Sequence, residues 1–314
     1  MTNGGTGTLD GLGVGTITYG AGASGWLAAS VSPATAPATV TLTATLGSLA
    51  AGTYTATVPV TSTATGVTNS PQTISVTFTV APNPLAFMTM TPGYRVMLPG
   101  DLVTMQVVGK DSLGNTVNTP GLAFTSRTPA AATVTLAGGN VTAVASGSTV
   151  IEAQAPGAGG PVGDSSLVVV PAPGAAVVSA LGGGRFFSAV RIGDTLMVQV
   201  VTDLRAVSSE LLGSYNAQLN WNPAALLYVS SAPVAGGFAA PTVNETQTST
   251  GQLRFSSADP AGSAGTVALI AVKFVAVTGG TSPLTLALTD LSAAATFTNL
   301  LPAAVVVSGS VTVH

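Results

Sequence analysis

The side chains that carry out most protein chemistry are rare in this chain. Its 314 residues include 8 Lys and Arg, 11 Asp and Glu, no Cys, and one His, which is the last residue, His314. General acid–base, nucleophilic and metal-assisted catalysis draw on these residue types. The composition therefore predicts a binding or structural protein rather than an enzyme, with no cofactor.

Five side-chain carboxylates from residue 203 onwards are the remaining candidates for acid–base or metal chemistry. They are Asp203, Glu210, Glu245, Asp259 and Asp290. A glycosidase needs two facing carboxylates in a cleft, and an EF-hand calcium loop needs acidic residues at alternating positions. No such series is present, and nothing in the sequence indicates that two of the five face each other. We expect them in solvated turns, and we expect no metal site.

Charge and hydropathy argue against two kinds of partner. The formal net charge is −3 and the few cations are dispersed, whereas nucleic-acid binding needs clustered Lys and Arg. The mean hydropathy of +0.56 is high, but the chain has no uninterrupted apolar run of about 18 residues to span a bilayer. The most apolar stretch, residues 266–277, is only as long as a strand and contains Lys273. We expect neither nucleic-acid binding nor membrane insertion.

Alternation of apolar and polar residues predicts β-strands along most of the chain. Residues 53–61 and 73–80 carry an apolar side chain at every second position, with mostly Thr or Ser between them. A period of two with a Thr face is typical of half-buried antiparallel strands. Gly- and Asn-rich turns recur between such stretches, and no amphipathic helix is apparent. The sequence therefore predicts an all-β fold of tandem β-sandwich domains.

Two Pro-containing links divide the chain into three predicted domains. One is Ala-Pro-Asn-Pro at residues 81–84, and the other is Val-Pro-Ala-Pro-Gly at residues 170–174. Proline fixes φ and has no N–H to donate to a β-ladder, so these links are expected to end sheets and to act as short, stiff spacers. The predicted domains are residues 1–81, 82–173 and 174–314.

The first predicted domain has a Gly-Trp-Leu turn at residues 25–27, a Ser-Pro pair at residues 32–33 and Gly-Thr-Tyr at residues 52–54. This pattern resembles that of the BACON-like and related bacterial Ig-like repeats. In those repeats one or two strands precede the part that corresponds to residues 2–9. The resemblance implies a domain that is either a truncated fragment or completed by a strand from a neighbouring molecule, because a missing strand leaves an open edge and core.

One segment near the start is a candidate for an exchanged strand. Residues 6–19 carry apolar side chains at Leu9, Leu12, Val14 and Ile17. Strand donation predicts a segment with apolar alternation and no place in its own domain. The same segment fits equally well as a strand of its own domain.

The second predicted domain contains a turn, Asp-Ser-Leu-Gly-Asn, at residues 111–115, in which Gly and Asn tolerate positive φ. It continues with Phe-Thr-Ser-Arg-Thr-Pro at residues 124–129 and Gly-Asn-Val-Thr-Ala-Val-Ala-Ser-Gly at residues 139–147. The order of these motifs resembles the group-2 bacterial Ig-like domains of intimin- and invasin-type surface proteins. The resemblance implies a second Ig-like sandwich that serves as a spacer.

The third predicted domain has Ile-Gly-Asp at residues 192–194, followed by a strand pattern. Gly-Ser-Tyr-Asn-Ala-Gln-Leu-Asn-Trp-Asn-Pro follows at residues 213–223, and Leu-Leu-Tyr-Val at residues 226–229. This order resembles that of cohesin domains, in which the second motif ends in Tyr-Asp-Pro. The resemblance implies a jelly-roll sandwich that binds protein, with Asn222 in place of the usual Asp. A carbohydrate-binding-module jelly roll is the nearest alternative.

The strand predicted over residues 214–222 separates into an apolar and a polar face. Ser214, Asn216, Gln218 and Asn220 lie on the polar face. Cohesins meet dockerins on a sheet face that includes this strand, so the resemblance implies that these residues bind a partner. The alternative is a merely solvated strand face, since exposed amides are common on antiparallel sheets.

The two tryptophans have two interpretations. Trp26 and Trp221 are candidates for sugar stacking, but Trp221 shares the apolar side of its strand, and Trp26 precedes Leu27 at a turn. Large aromatic side chains more often pack in cores. We expect both in packed positions.

Three functions are compatible with these patterns, in order of preference. The first is a non-catalytic structural and adhesion protein with an Ig-like stalk and a cohesin-like domain that binds a dockerin-like partner. The second is a subunit of a self-assembling extracellular fibre, in which each copy donates a strand to another copy. The third is a carbohydrate-binding surface protein. Abundant Thr, Gly, Ala and Ser with little Lys and Glu favours an extracellular or bacterial cell-surface location.

Overall fold

The fold is built from β-strands. The computed structural model describes residues 1–180, 186–207 and 209–314. Helical structure in these ranges is limited to two short 3₁₀ turns, so the predicted all-β class is confirmed. No helix among the described residues is long and apolar enough to cross a membrane.

The chain forms two compact units, Met1–Pro84 and Leu85–His314. The predicted link at residues 170–174 therefore lies inside the second unit. The division into three domains stays a prediction.

The first unit contains two sheets. Strand β5 is central in the larger sheet, where β1 and β2 pair with one of its edges and β6 pairs with the other, all antiparallel. The smaller sheet is the antiparallel pair β3–β4. The strands are β1 (Gly13–Val14), β2 (Thr18–Tyr19), β3 (Leu27–Ser32), β4 (Thr39–Ala44), β5 (Gly52–Thr61) and β6 (Gln72–Val80).

Trp26 is the centre of the small core of the first unit. Its indole stacks on Phe78 of β6 at a ring-centroid distance of 5.5 Å. Ala56 and Val58 of β5 join the same cluster because the alternation of β5 directs every second side chain to this side. Together with Trp26 and Leu27, these two residues are the buried members of the cluster. The other apolar side chains that pack against them are partly exposed.

The second unit begins with three small sheets, ordered β11-β10-β7, β12-β15-β16-β8 and β13-β14-β9. The long hairpin β15–β16 is antiparallel, and β8 pairs in parallel with residues 167–169 at the outer edge of β16. The strands are β7 (Phe87–Thr91), β8 (Tyr94–Val96), β9 (Leu102–Thr104), β10 (Gln106–Lys110), β11 (Thr116–Val117), β12 (Ala123–Ser126), β13 (Ala132–Val134), β14 (Asn140–Ala143), β15 (Gly147–Gly157) and β16 (Gly160–Val170).

The rest of the second unit is a sandwich of two larger sheets. The five-stranded sheet has the order β21-β24-β19-β17-β26, and the six-stranded sheet has the order β18-β27-β25-β20-β23-β22. The strands are β17 (Val177–Ala180), β18 (Phe186–Val190), β19 (Thr195–Asp203), β20 (Leu212–Asn220), β21 (Leu226–Ala232), β22 (Thr242–Asn244), β23 (Gln252–Ser263), β24 (Thr266–Ala276), β25 (Gly280–Ala293), β26 (Val305–Val307) and β27 (Gly309–Val313). The 3₁₀ turns are Thr248–Thr250 and Leu301–Ala303.

The core of this sandwich lies between its two sheets. Val198 and Phe274 from the five-stranded sheet share one buried cluster with Leu219 and Phe255 from the six-stranded sheet. In β20 and β23 of the six-stranded sheet apolar side chains alternate with polar ones, so one face of that sheet is dry and the other meets water. Strand β24 of the five-stranded sheet is mostly apolar and mostly buried along its length. We call this part of the second unit the C-terminal sandwich.

Valine side chains join the C-terminal sandwich to the smaller sheets of the same unit. Val96 and Val169, from β8 and β16, cluster with Val177 and Val307, from β17 and β26. Pro171, in the predicted link between them, is buried. The start of the link is therefore part of a packed joint, and its role as a short, stiff spacer between domains stays a prediction.

Arg205 reinforces this joint. Its Nε donates to both carboxylate oxygens of Asp203 at 3.1 and 3.0 Å, and its Nη2 donates to Asp203 Oδ2 at 2.8 Å. Nη2 also donates to the carbonyl oxygen of Val96 at 2.8 Å, and Nη1 lies 3.6 Å from Asp101 Oδ2. Asp203 is only 6% exposed, so the expectation that it lies in a solvated turn is wrong. The hydrogen bonds to Asp203 raise the pKa of Arg205.

Candidate functional site

The strand β20 lies near the middle of the six-stranded sheet, with β25 on one side and β23 on the other. Along most of β20, buried side chains that point into the core alternate with side chains that point outward. Asn216 is exposed, whereas Ser214, Gln218 and Asn220 are partly exposed. The apolar set consists of Tyr215, Ala217 and Leu219, followed by Trp221 after the strand. The structure thus places the four predicted binding residues together on the outer face.

A carboxylate stands beside one end of this row. Asp290 of β25 lies opposite Asn216. Its Oδ2 accepts a hydrogen bond from Ser214 Oγ at 2.7 Å, and its Oδ1 accepts one from Ser292 Oγ at 2.6 Å. These two hydroxyls fix the orientation of the carboxylate on the outer face.

A cation stands beside the other end. Arg254 of β23 lies opposite Gln218, and its Nε donates to Gln218 Oε1 at 3.2 Å. The Gln218 side chain in turn donates from Nε2 to Asn220 Oδ1 at 2.7 Å. The amide of Gln218 is therefore oriented by a neighbour at each of its two ends.

Asn216 lies between the carboxylate and the cation. Its side chain has no hydrogen-bond partner among the residues that the structure describes. A primary amide has one acceptor oxygen and two donor hydrogens, so Asn216 presents these groups to solvent. We call the six residues that form this arrangement the polar face: Ser214, Asn216, Gln218, Asn220, Arg254 and Asp290.

A bulge in β25 brings Asp290 onto the polar face. Leu288 pairs with Ala217 and Asp290 pairs with Asn216, so Thr289 is an extra residue between them. Before the bulge the inward positions of β25 are even-numbered, and after it they are odd-numbered. Asp290 is expected from the sequence in a solvated turn, but it lies in β25 beside β20. In the sequence, the inward apolar residue is even-numbered at Leu286 and odd-numbered at Leu291. This change indicates the bulge that places Asp290 beside β20.

The predicted exchange segment lies within its own unit. Leu12 is buried, and Val14 and Ile17 pack against the Trp26 cluster. Leu9 is partly exposed. Within this segment β1 and β2 pair with β5. The segment thus has a place in its own unit, and its role in strand exchange stays a prediction.

Both tryptophans are core residues, as predicted. Trp26 is 3% exposed and Trp221 is 5% exposed. The Nε1 of Trp221 donates to the carbonyl oxygen of Leu226 at 3.0 Å. Neither indole presents a face on which a sugar ring can stack.

The remaining candidate carboxylates are dispersed. Glu210 accepts a hydrogen bond from Thr296, and Glu245 accepts one from Tyr228. Asp259 accepts one from the backbone of Ala261, two residues further on. No group of three or more His, Asp or Glu side chains among the described residues is placed to hold a metal ion.

No protein-family model and no curated protein matches the chain. Among solved structures it is similar to cohesins. The seventh ScaB type I cohesin from Pseudobacteroides cellulosolvens is 16% identical, with a TM-score of 0.38, over 45% of this chain and 92% of that one. A non-cellulosomal cohesin from Archaeoglobus fulgidus is 16% identical, with a TM-score of 0.34, over 45% of this chain and 91% of that one.

A third similar chain comes from a type I cohesin–dockerin complex of Clostridium thermocellum. It is 10% identical, with a TM-score of 0.38, over 45% of this chain and 99% of that one. Values this low carry no functional inference.

Proposed function

We propose that the chain is a non-catalytic binding protein that holds a protein partner, of the dockerin kind, on its polar face. The observation that carries the proposal is the amide of Asn216, which has no hydrogen-bond partner among the described residues and is exposed on a central strand between Asp290 and Arg254. The low number of catalytic side chains in the sequence supports a binding role.

The polar face is suited to binding because it is already ordered. The backbone of β20 is paired along both edges, and the side chains of Ser214, Gln218 and Asn220 are held by hydrogen bonds. A partner therefore does not have to restrict these groups on binding, which lowers the entropic cost of association. Charges of opposite sign on either side of β20 favour one orientation of a partner over its reverse.

The sequence resemblance supports the same surface. The cohesin-like order of motifs in residues 174–314 implies that Ser214 and Asn216 belong to the face on which cohesins meet dockerins. Asn222 departs from that pattern. It caps the turn after β20, where its Oδ1 accepts the backbone N–H of Ala224 at 3.0 Å, and it lies outside the polar face.

The rest of the chain is proposed to act as a stalk of Ig-like domains on an extracellular or bacterial cell-surface protein. The two sets of small sheets before residue 171 support this role because they are all-β and carry few charges. The packed joint at Val96 and Arg205 supports a stalk that holds the binding domain at a fixed angle to the preceding sheets.

The direct test is titration of the full chain with a panel of purified dockerin modules, followed by calorimetry. We expect at least one dockerin to bind, Asn216→Ala to weaken that binding about threefold to tenfold, and Asp290→Ala to weaken it further. Thr281→Ala, at an exposed position of the same sheet but away from β20, is the matched control and should bind as the unmodified chain does. Binding that is absent from the whole panel, or unchanged by both polar-face substitutions, would refute the proposal.

A further inference from the structure

The first unit has a long open sheet edge. Strand β6 covers nine residues and pairs with β5 along one side. Among the described residues no strand pairs with its other side. The backbone N–H and C=O groups on that side therefore lack the ladder partners that a neighbouring strand provides.

Two comparable strands of the second unit have a strand beside each edge. Strand β16 also closes a long hairpin, and β8 pairs in parallel with residues 167–169 at its outer edge. Strand β27 pairs with β25 on one side and with β18 on the other. Among the described residues, the outer edge of β6 thus has no strand beside it, unlike the outer edges of β16 and β27.

Nothing in β6 guards this edge. Soluble proteins protect edge strands with charges, prolines, bulges or short length. Gln72–Val80 contains no charged residue and no Pro, and its pairing with β5 runs without a bulge. Three edge strands of the C-terminal sandwich differ: β22 and β26 have three residues each, and β21 is bulged near Tyr228. Strands β3 and β4 of the first unit also lack charges, Pro and bulges, but they are shorter than β6, with six residues each.

The apolar side chains of β6 are incompletely covered. Ile74, Val76 and Phe78 point toward the Trp26 cluster but remain partly exposed. A strand added at the open edge would remove more of their apolar surface from water, which is favourable. The edge therefore offers both backbone hydrogen bonds and apolar surface to an added strand.

We propose that β6 pairs antiparallel with β6 of a second copy of the chain, centred on Val76, so that the two larger sheets of the first units become one continuous sheet. In this register Val76 faces Val76 of the other copy, and Ile74 faces Phe78. The arrangement has two-fold symmetry and closes at two copies, since each open edge is consumed by the other.

The strand itself favours a second copy as the occupant. Its lack of charge means that two copies meet without repulsion. The antiparallel register sets the largest apolar side chain, Phe78, beside the smaller Ile74 rather than beside another Phe78, and it sets Thr and Ser side chains opposite one another on the outer face. Pairs of this kind stabilise antiparallel ladders.

Sedimentation velocity of the full chain, from micromolar to submillimolar concentration, tests the proposal. We expect a monomer–dimer equilibrium. Ser75 and Thr77 are exposed on the outer face of β6 and lie opposite each other in the proposed register. The double variants S75K/T77K and S75E/T77E each place like charges opposite and should weaken dimerisation about tenfold or more. An equimolar mixture of the two should restore it, because Lys then faces Glu.

The matched control is T41K/T43K, at exposed positions of β4, which pairs only with β3 among the described residues, and it should dimerise as the unmodified chain does. A chain that stays monomeric at all concentrations overturns the proposal. So does a dimer that is lost in T41K/T43K but kept in S75K/T77K, since β4 would then be the contact. Failure of the mixture to restore the dimer would overturn the antiparallel register.

Discussion

The first unit and the C-terminal sandwich are built from strands of the same kind, but their cores are covered to different extents. In the first unit the fully buried cluster is Trp26, Leu27, Ala56 and Val58. In the C-terminal sandwich the buried cluster takes side chains from both sheets. Its five aromatic members, Tyr215, Trp221, Phe238, Phe255 and Phe274, each have another ring centroid within 6.0 Å. Both regions alternate apolar and polar residues, so alternation alone does not determine how well a core is covered.

Edge pairing explains the difference. A sandwich is dry inside only where strands at its margins cover the ends of the apolar rows. In the C-terminal sandwich β27 has strands on both sides, whereas β6 has one neighbour among the described residues. The apolar row of β6 is correspondingly half-exposed. Stability in this chain is therefore expected to be concentrated in the second unit.

The largest expected effect is on the core of the C-terminal sandwich. Phe255 is 1% exposed, and its ring lies 6.0 Å from that of Tyr215. Phe255→Ala should lower the free energy of unfolding of this region by about 3–5 kcal/mol, because the surroundings cannot collapse into the cavity. Phe78→Ala in the first unit should cost only about 1–2 kcal/mol, because Phe78 is already partly exposed.

The two tryptophans allow each region to be measured separately. In a Trp26→Phe background, fluorescence during urea unfolding reports on Trp221, and in a Trp221→Phe background it reports on Trp26. Phe255→Ala should shift the transition of Trp221, and Phe78→Ala that of Trp26. Equal losses of unfolding free energy for the two substitutions would contradict the inference that the core of the C-terminal sandwich is covered more completely than that of the first unit.

The next effect concerns the joint within the second unit. Arg205→Ala leaves the buried carboxylate of Asp203 without its side-chain partner. Leaving a buried acceptor without its partner costs about 1–3 kcal/mol, and more where the acceptor is charged. Denaturant unfolding monitored by Trp221 measures this loss. Arg254→Ala is the control, because Arg254 is exposed and its loss should stay within about 0.5 kcal/mol. If both variants unfold at the same denaturant concentration, the joint does not contribute to the stability of this unit.

Alkaline pH should weaken the same joint. Burial raises the pKa of Tyr94, on β8, from 10.0 to about 12. Between these two values the unfolded chain has lost the phenol proton and the folded chain has kept it. Stability from this group is therefore complete below pH 10, declines as the pH rises and is lost above about 12. Urea midpoints measured across this range should fall less steeply for Tyr94→Phe. Identical slopes would indicate that the loss of stability at alkaline pH arises from the other tyrosines.

Much of the fold can be predicted because alternation is local information. The strands around Tyr54 and Val76, the inward position of Trp221, and the outward row from Ser214 to Asn220 all follow from which side of a strand each residue occupies. These features need no knowledge of which strands become neighbours.

The features that sequence reasoning missed depend on neighbours. Asp203 is predicted to lie in solvent, but Arg205 and the start of β17 enclose it. Asp290 joins the polar face only because Thr289 shifts the register of β25 against β20. The packing of Val96 against Val307 spans more than one predicted domain, and a Pro-rich link does not reveal it.

The smallest expected effect on stability is the most informative about the polar face. Asn216→Ala should change the free energy of unfolding by less than about 0.5 kcal/mol, because its amide has no partner within the described residues. Ser214→Ala should cost about 0.5–1.5 kcal/mol, because Ser214 donates a hydrogen bond to Asp290. Chemical denaturation followed by Trp221 fluorescence distinguishes the two.

The contrast between these variants separates folding from binding. An amide that contributes nothing to folding but whose removal weakens partner binding has its hydrogen-bond partner outside the chain. If Asn216→Ala destabilised the fold as much as Ser214→Ala does, its amide would already be paired within the chain. The polar face would then be an ordinary solvated side of a sheet, and the C-terminal sandwich would differ from the first unit only in how completely its core is closed.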